Sequence, residues 1–257
     1  MIQVYRLLFL VFLVFLMVLW EGISRWFGVE FFLSRPSAVA ASFWKILLNG
    51  VFFYHAGITT LEAVLGFFFG SVAGLAAGLL LGRAKVLADI LDPFLTAFYS
   101  LPKVALAPLF ILWFGIGLPM KVILTAAVVF FLVFLNTYSG VRNVSREQLT
   151  ILRLMGARER DLLRMVVIPS AFTWVFTGLR LSVPYALIGA LVGEIIAANR
   201  GLGYLLSDAA SQFDTAGVFA ALVGIIALAL ILNTAVKLAE RRLMPWKAND
   251  AEREVAV

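Results

Sequence analysis

The chain of 257 residues contains no cysteine and a single histidine, His55. Without cysteine there is no disulfide framework and no thiolate metal site. One imidazole leaves no His-based metal cluster and no catalytic triad. Charge is scarce as well: charged residues make up 14% of the chain and hydrophobic ones 63%. A soluble domain of this length cannot cover its surface with so few charges, so the solvent is the bilayer. No Gly-rich loop ends in Gly-Lys-Ser/Thr, so the chain has no phosphate cradle and holds no ATP of its own. The net charge of +6 raises nucleic acid as a partner. The basic residues, however, stand at the ends of apolar runs, and no basic stripe carries interleaved aromatics, which argues against it.

What is present reads as six membrane spans. The first is Met1 to Trp20. Arg6 ahead of its apolar run resembles the start of a signal peptide, but Glu21-Gly22-Ile23-Ser24-Arg25-Trp26 offers no small-x-small cleavage site, so we read an uncleaved anchor. Glu21 to Tyr54 is mixed in polarity and broken at Ser34-Arg35-Pro36-Ser37, and the helix beginning with Ala38 reads as interfacial, outside the membrane. Ser37 would cap it, and Val39, Phe43, Ile46 and Leu47 would form its apolar face. His55 follows as a solvated or capping side chain. The second span, Thr59 to Leu81, carries Gly66, Gly70, Gly74 and Gly78 at every fourth position. That spacing puts the glycines on one face and lets another helix approach at backbone contact. Gly82 to Asp92 reads as a short inner loop. The third span, Pro93 to Phe114, reads as a helix kinked by Pro102 and Pro108, with Lys103 turned to the bundle or snorkelling. The fourth is Met120 to Tyr138, the fifth Phe172 to Ala197 and the sixth Ala216 to Leu238, with Arg200 to Asp214 as an outer loop. Glu62 and Glu194 are carboxylates inside spans, each a candidate pore or gate charge or an internally hydrogen-bonded group. Arg180 is a structural pair or a snorkelled side chain. It cannot reach Glu194, about 21 Å away along the helix.

Orientation follows from counting Lys and Arg. With the N-terminus inside, inner segments hold 14 and outer segments five, namely Arg25, Arg35, Lys45, Lys121 and Arg200. The excess puts both termini and the stretch Thr150 to Pro169 in the cytoplasm. That stretch, TILRLMGARERDLLRMVVIP, is a cationic island between apolar blocks. Gly156 divides it into two short amphipathic helices, the second stopped or kinked at Pro169. Leu152, Met155, Leu162 and Leu163 are its expected apolar docking surface, with Arg153, Arg158 and Arg160 on the rim.

This stretch resembles the signature loop of ATP-binding-cassette importer permeases, E-A-A-x3-G-x9-I-x-L-P. Gly156, Val166, Ile168 and Pro169 fall in register, while Thr150, Ile151 and Leu152 stand at the Glu-Ala-Ala positions. Phe176-Thr177-Gly178-Leu179-Arg180-Leu181 is similar to the segment that comes after the signature proline in these permeases. Gly193-Glu194-Ile195-Ile196 leading to Gly201-Leu202-Gly203-Tyr204 looks like the nitrate/taurine/sulfonate branch. The resemblance implies an all-α polytopic membrane protein with the type I importer permease fold. Residues 1–53 would be an anchor and periplasmic interfacial segment, 54–238 the transmembrane domain and 239–257 a cytoplasmic tail. The coupling loop would span about 147–169, with Ala157 beside the Gly156 turn. It further implies a permease subunit without enzyme activity or cofactor. Its partners would be a cytoplasmic ATPase dimer that uses the ATP, a second permease copy in a homodimer, and a periplasmic or lipid-anchored solute-binding protein. The solute would be small and anionic or heterocyclic, of the nitrate/sulfonate/taurine class. An ion-coupled secondary transporter is the alternative class; it calls for inverted repeats and several intramembrane acids, and only Glu62 and Glu194 offer themselves.

Overall fold

A computed structural model of the chain describes residues 2–144 and 146–243. Lys247 and Arg253 of the inner charge count, and the tail beyond residue 243, lie outside the described residues. Within them the secondary structure is helical, as a bilayer demands, because a helix satisfies its backbone donors and acceptors within one segment. Among the described residues five helices are long and apolar enough to cross a membrane, or six when one bent pair counts as a span. The chain divides into two compact units. One comprises residues up to Thr59 with Ala198–Leu228, the other Thr60–Ala197 with the chain from Ala229.

The first unit holds α1 (Ile2–Trp26), α2 (Glu30–Leu33), α3 (Pro36–Leu48), the opening of α4 (Val51–Arg83), α11 (Leu202–Ser211) and the opening of α12 (Thr215–Leu243). Helix α3 begins at Pro36 and not at Ala38, with Arg35 in the capping position. Proline suits the first turn, where its missing N–H has no partner to lose. Ser37 is thereby freed from capping, and its N–H and hydroxyl both donate to the Glu21 carboxylate, at 3.0 and 2.8 Å. The expected outer loop from Arg200 to Asp214 is mostly helix α11. Its first turn is held from α4: the Gly201 N–H donates to His55 Nδ1 at 2.9 Å and the Leu202 N–H to Thr59 Oγ1 at 2.9 Å. Two amides that a helix start leaves without partners are satisfied in this way. The His55 ring also stacks on Tyr204, 5.9 Å between centroids. His55 is therefore a capping histidine.

In the second unit α4 continues into α5 (Lys85–Ser100), a short 3₁₀ turn (Lys103–Leu106), α6 (Ala107–Phe114) and α7 (Leu118–Arg142). The expected inner loop 82–92 is helical apart from Ala84, and Pro93 sits inside α5. The break falls later. Leu101 and Pro102 are both extended, as a residue before proline prefers, and the helices on either side diverge by 83°. The third span is thus broken and not merely kinked. Pro108 causes no bend because it lies in the first turn of α6. Lys103 lies at the break with its ammonium 4.5 Å from the Phe131 ring centre.

Helix α7 is the axis of this unit, and its most extensive partner is α10 (Ile168–Ala197). The glycine face of α4 packs on α7 as well. A Cβ added at Gly70 would stand 2.5 Å from the Ala126 carbonyl oxygen, at Gly74 2.6 Å from that of Phe130, and at Gly78 2.6 Å from Thr137 Cβ. Gly66 meets Thr125 in the same way. From α10, Gly189 approaches the Thr125 Cα and Gly178 the Asn136 side chain. Between the glycine contacts Val129, Val133 and Ala186 form a buried cluster, and Met120 and Leu124 form another with Ala107 and Phe110. Arg180 pairs with Glu240 at 3.4 Å, which fulfils its expected structural role.

Gly74→Val must push α4 off α7, an overpacking cost of about 1–3 kcal/mol. Gly57, on the same helix, has open space where a Cβ would go. Thermal unfolding in detergent should show a lowered Tm for Gly74→Val and almost none of that loss for Gly57→Val. Equal losses would refute the close-contact reading.

Candidate functional site

Helix α8 (Arg146–Leu154) ends in a turn that its own backbone dictates. The Ala157 N–H donates to the Leu152 carbonyl and the Gly156 N–H to the Arg153 carbonyl, both at 3.0 Å. This is the Schellman pairing, and it requires a left-handed residue at Gly156, where φ is +83°. No atom outside the turn lies within 4 Å of a Cβ built there, so the demand for glycine is conformational and not steric. Across the turn the Arg153 guanidinium meets Glu159 at 3.1 Å. The Arg158 N–H donates to the Asp161 carboxylate at 3.0 Å and so caps the next helix, α9 (Glu159–Leu162).

Pro169 does not stop this second piece. After one α-turn the chain passes through a π-turn, Leu163–Val167, straight into α10, and Glu159–Ala197 forms one helix of 39 residues. Proline removes a backbone donor from the turn before it, and a π-turn, with bonds running to the fifth residue, accommodates that loss without a break. The loop is therefore one short helix, α8, folded back on the root of α10.

That continuity decides which side chains face outward. Leu162, expected on the docking surface, is 2% exposed, and Val166 is buried with it. Both belong to the inner stripe of the α10 root. Leu152, Ala157 and Leu163 are half-buried, while Arg153, Arg158, Arg160 and Pro169 are exposed. Met155 is 77% exposed and its neighbour Leu154 84%, with Ile151 beside them. The tip is thus an apolar patch of Ile151, Leu154 and Met155, fringed by guanidinium groups. Leu154 was missed in the sequence, although its place three residues after Ile151 and directly before the turn is the signal that locates it.

The other candidates lie at the far end of the same helices. Pro119 extends α7 back to Leu118, which brings Lys121 inside the first helical turns and out of the water expected for it. Lys121 is buried, and its ammonium donates to the buried Glu62 carboxylate. Glu194 is buried in the last turn of α10. A Cβ at the preceding Gly193 would stand 2.9 Å from Lys121 Cγ, so α10 lies directly on the lysine stem. The structure thereby brings Glu62 and Lys121 together and places α10 against them. Gly66, Gly70, Gly74 and Gly78 serve as packing positions for the same three helices.

Removing one partner of a buried ion pair leaves the other charge uncompensated, at about 3–5 kcal/mol, while replacing both with apolar groups is often neutral. Lys121→Met alone should lower the Tm in detergent sharply, and Glu62→Met/Lys121→Met should recover most of that loss. A double variant no better than the single one would show that the pair does not act as a unit.

Residues 69–245 match the family of binding-protein-dependent transport system inner membrane components. Among curated proteins, the chain is 35% identical to the formylaminopyrimidine transport permease protein ThiX of Halalkalibacterium halodurans, over 92% of this chain and 94% of that protein. It is 36% identical to the riboflavin transport system permease protein RibX of Chloroflexus aurantiacus, over 92% and 89%. Among solved structures, an inward-facing conformation of the MetNI methionine ABC transporter has the same fold, with a TM-score of 0.66 at 18% identity over 76% of this chain and 97% of that one. Permeases of this kind carry no ATPase site and work with a separate ATPase and a solute-binding protein. A helical bundle that crosses the inner membrane several times, matched over most of its length, thus belongs to the binding-protein-dependent inner membrane components, as a permease subunit of a type I ABC importer.

Proposed function

We propose that two copies of this chain form a homodimer around the path of a small solute. Each copy would dock the tip at Ile151, Leu154 and Met155 into one subunit of a cytoplasmic ATPase dimer. Both termini lie in the cytoplasm in this reading, as the excess of Lys and Arg on that side supports. A periplasmic or lipid-anchored binding protein delivers the solute at the opposite end. The chain contributes no cofactor, and ATP is consumed by the partner subunit. The solute is small and anionic or heterocyclic. Relatives named for formylaminopyrimidine and riboflavin transport support the heterocyclic half of that class.

One observation carries the reading. An exposed apolar tip, fixed by a Schellman turn, stands directly before a 39-residue helix that runs into the bundle. A partner that grips the tip and changes shape moves α10 as a rod. The inward-open and outward-open states are then biased by nucleotide at one end and by the loaded binding protein at the other. Glu194, near the end of that rod, is the candidate gate charge, and Glu62, the second candidate, is held on Lys121.

Gly156→Pro forces φ to about −65° where the turn needs a positive value. The variant should reach the membrane in normal amount and associate with an ATPase that still hydrolyses ATP, while solute uptake into vesicles falls at least tenfold, by about 1.4 kcal/mol or more of lost coupling. Uptake at the wild-type rate would count directly against the docking role. Glu194→Gln should change the uptake rate and leave ATPase association intact; an unaffected rate would return Glu194 to a hydrogen-bonding role within the bundle.

A further inference from the structure

The first unit contains a feature that the importer reading does not use. An open cleft of about 290 Å³ lies between α2 with its following turn and the turn that leads into α12. Its walls include Phe31 and Phe213, stacked at 6.1 Å with their planes 22° apart. Its charged groups are Glu30, Arg35 and Asp214. More than half of the lining, Glu30 to Ala38, precedes the segment that matches the family, residues 69–245.

Two residues of the lining are the non-glycine positions with positive φ among the described residues, Ser34 at +52° and Phe213 at +58°. A bulky side chain adopts that conformation only where its surroundings hold it there. Ser34 is held by the Ser24 hydroxyl on its carbonyl and by its own N–H on the Glu30 carbonyl. Phe213 is held by its N–H on the Ala210 carbonyl, by the Phe31 ring, and by the Thr215 hydroxyl, which donates to the Phe31 carbonyl. For all this bracing, the Phe213 ring remains 74% exposed. The bracing aims an aromatic face outward and does not bury it.

We propose that this cleft receives a lysine or arginine side chain of the importer's solute-binding protein. The size is right: small-molecule sites begin at about 300 Å³ and enclose their ligand, whereas this open cleft suits one long side chain. The charge is right as well. Arg35 is engaged with Glu30 at 3.1 Å. Asp214 accepts from the Gly217 N–H, an uncharged partner, so the lining of the cleft carries one net negative charge. Aromatic faces beside carboxylates attract a cation and its aliphatic stem together. Glu30, Arg35 and Asp214 lie beyond the ends of α1 and α12 and not along them, which favours a protein in water over a lipid headgroup. The inference rests on the reading that this end of the chain faces the binding protein.

The test exploits the absence of cysteine. Phe213→Cys supplies one unique thiol, and an impermeant maleimide applied to intact cells should label it. The affinity of the nanodisc-embedded permease–ATPase complex is then measured for the purified binding protein. Two changes are combined. Asp214→Asn keeps the helix cap, and the Glu30→Arg/Arg35→Glu swap keeps the local ion pair while exchanging its poles. The combined variant should raise the Kd about tenfold, with a weaker salt dependence than wild type. The amount of ATPase bound to the permease serves as the loading control. Outside labelling with an unchanged Kd overturns the cleft and leaves the importer reading intact. So does a photoactivatable maleimide on Phe213→Cys that cross-links lipid alone. Labelling only from the cytoplasmic side overturns the orientation, and the proposed delivery end with it.

Discussion

The helix bundle of the second unit depends on how closely α4 and α10 approach α7. Between helices in a bilayer there is no hydrophobic driving force, because lipid tails are as apolar as leucine. What remains is dispersion, which falls off steeply with distance, and polar contacts formed at short range. Glycines on both neighbours bring backbone onto backbone at Ala126, Phe130 and Thr125. The same approach lets Lys121 stay buried: α4 delivers the Glu62 carboxylate to its ammonium while α10 covers its stem at Gly193. Side chains in place of these glycines would hold the helices apart and leave the lysine charge in an apolar gap.

A rigid three-helix contact gives the loop between α7 and α10 something to act on. The turn at Gly156 is set by local chemistry alone, through two backbone hydrogen bonds and one left-handed residue. Its connection to the bundle is set by the π-turn, which lets α9 run into α10 past Pro169. At helical rise the combined rod is about 58 Å long. Leu154 and Met155 stand across the Gly156 turn from the start of that rod, and α10 rests on Lys121 near the rod's other end.

How much of this could be read in the sequence depended on how local each determinant is. The long apolar helices, the glycine face and the Gly156 turn are written in spacing within one segment, and the third span, expected as a kinked helix, is broken at Pro102. The departures have causes that lie outside the segment. Lys121 looked like a loop charge because hydropathy scores a lysine as polar, and its partner Glu62 is distant in the chain. Leu162 looked like a surface residue because the stripe was assigned to a free helix; its burial follows from continuity with α10. Proline was the least decisive signal. Pro93 and Pro184 sit inside helices, and Pro108 and Pro119 sit in first turns where they do no harm. Pro102 breaks the third span because Leu101 before it is extended. The same residue type has three outcomes, decided by whether neighbouring backbone groups find other partners.

The two ends of the α7–α10 pair use charge in opposite ways, and the difference suits a moving part. At the tip the Arg153–Glu159 pair is exposed, so its net contribution is about 0–1 kcal/mol. Its guanidinium, and those of Arg158 and Arg160, can exchange water or Glu159 for groups on another protein at little cost. At the far end the Glu62–Lys121 pair is dry, and separating it strands both charges. The exposed pair leaves the loop free to trade contacts, while the buried pair ties α4 to α7, the helix on which α10 packs. Reversing the arrangement, with a buried pair at the tip and a wet one in the bundle, would give a loop unable to accept a partner and a core unable to hold its register.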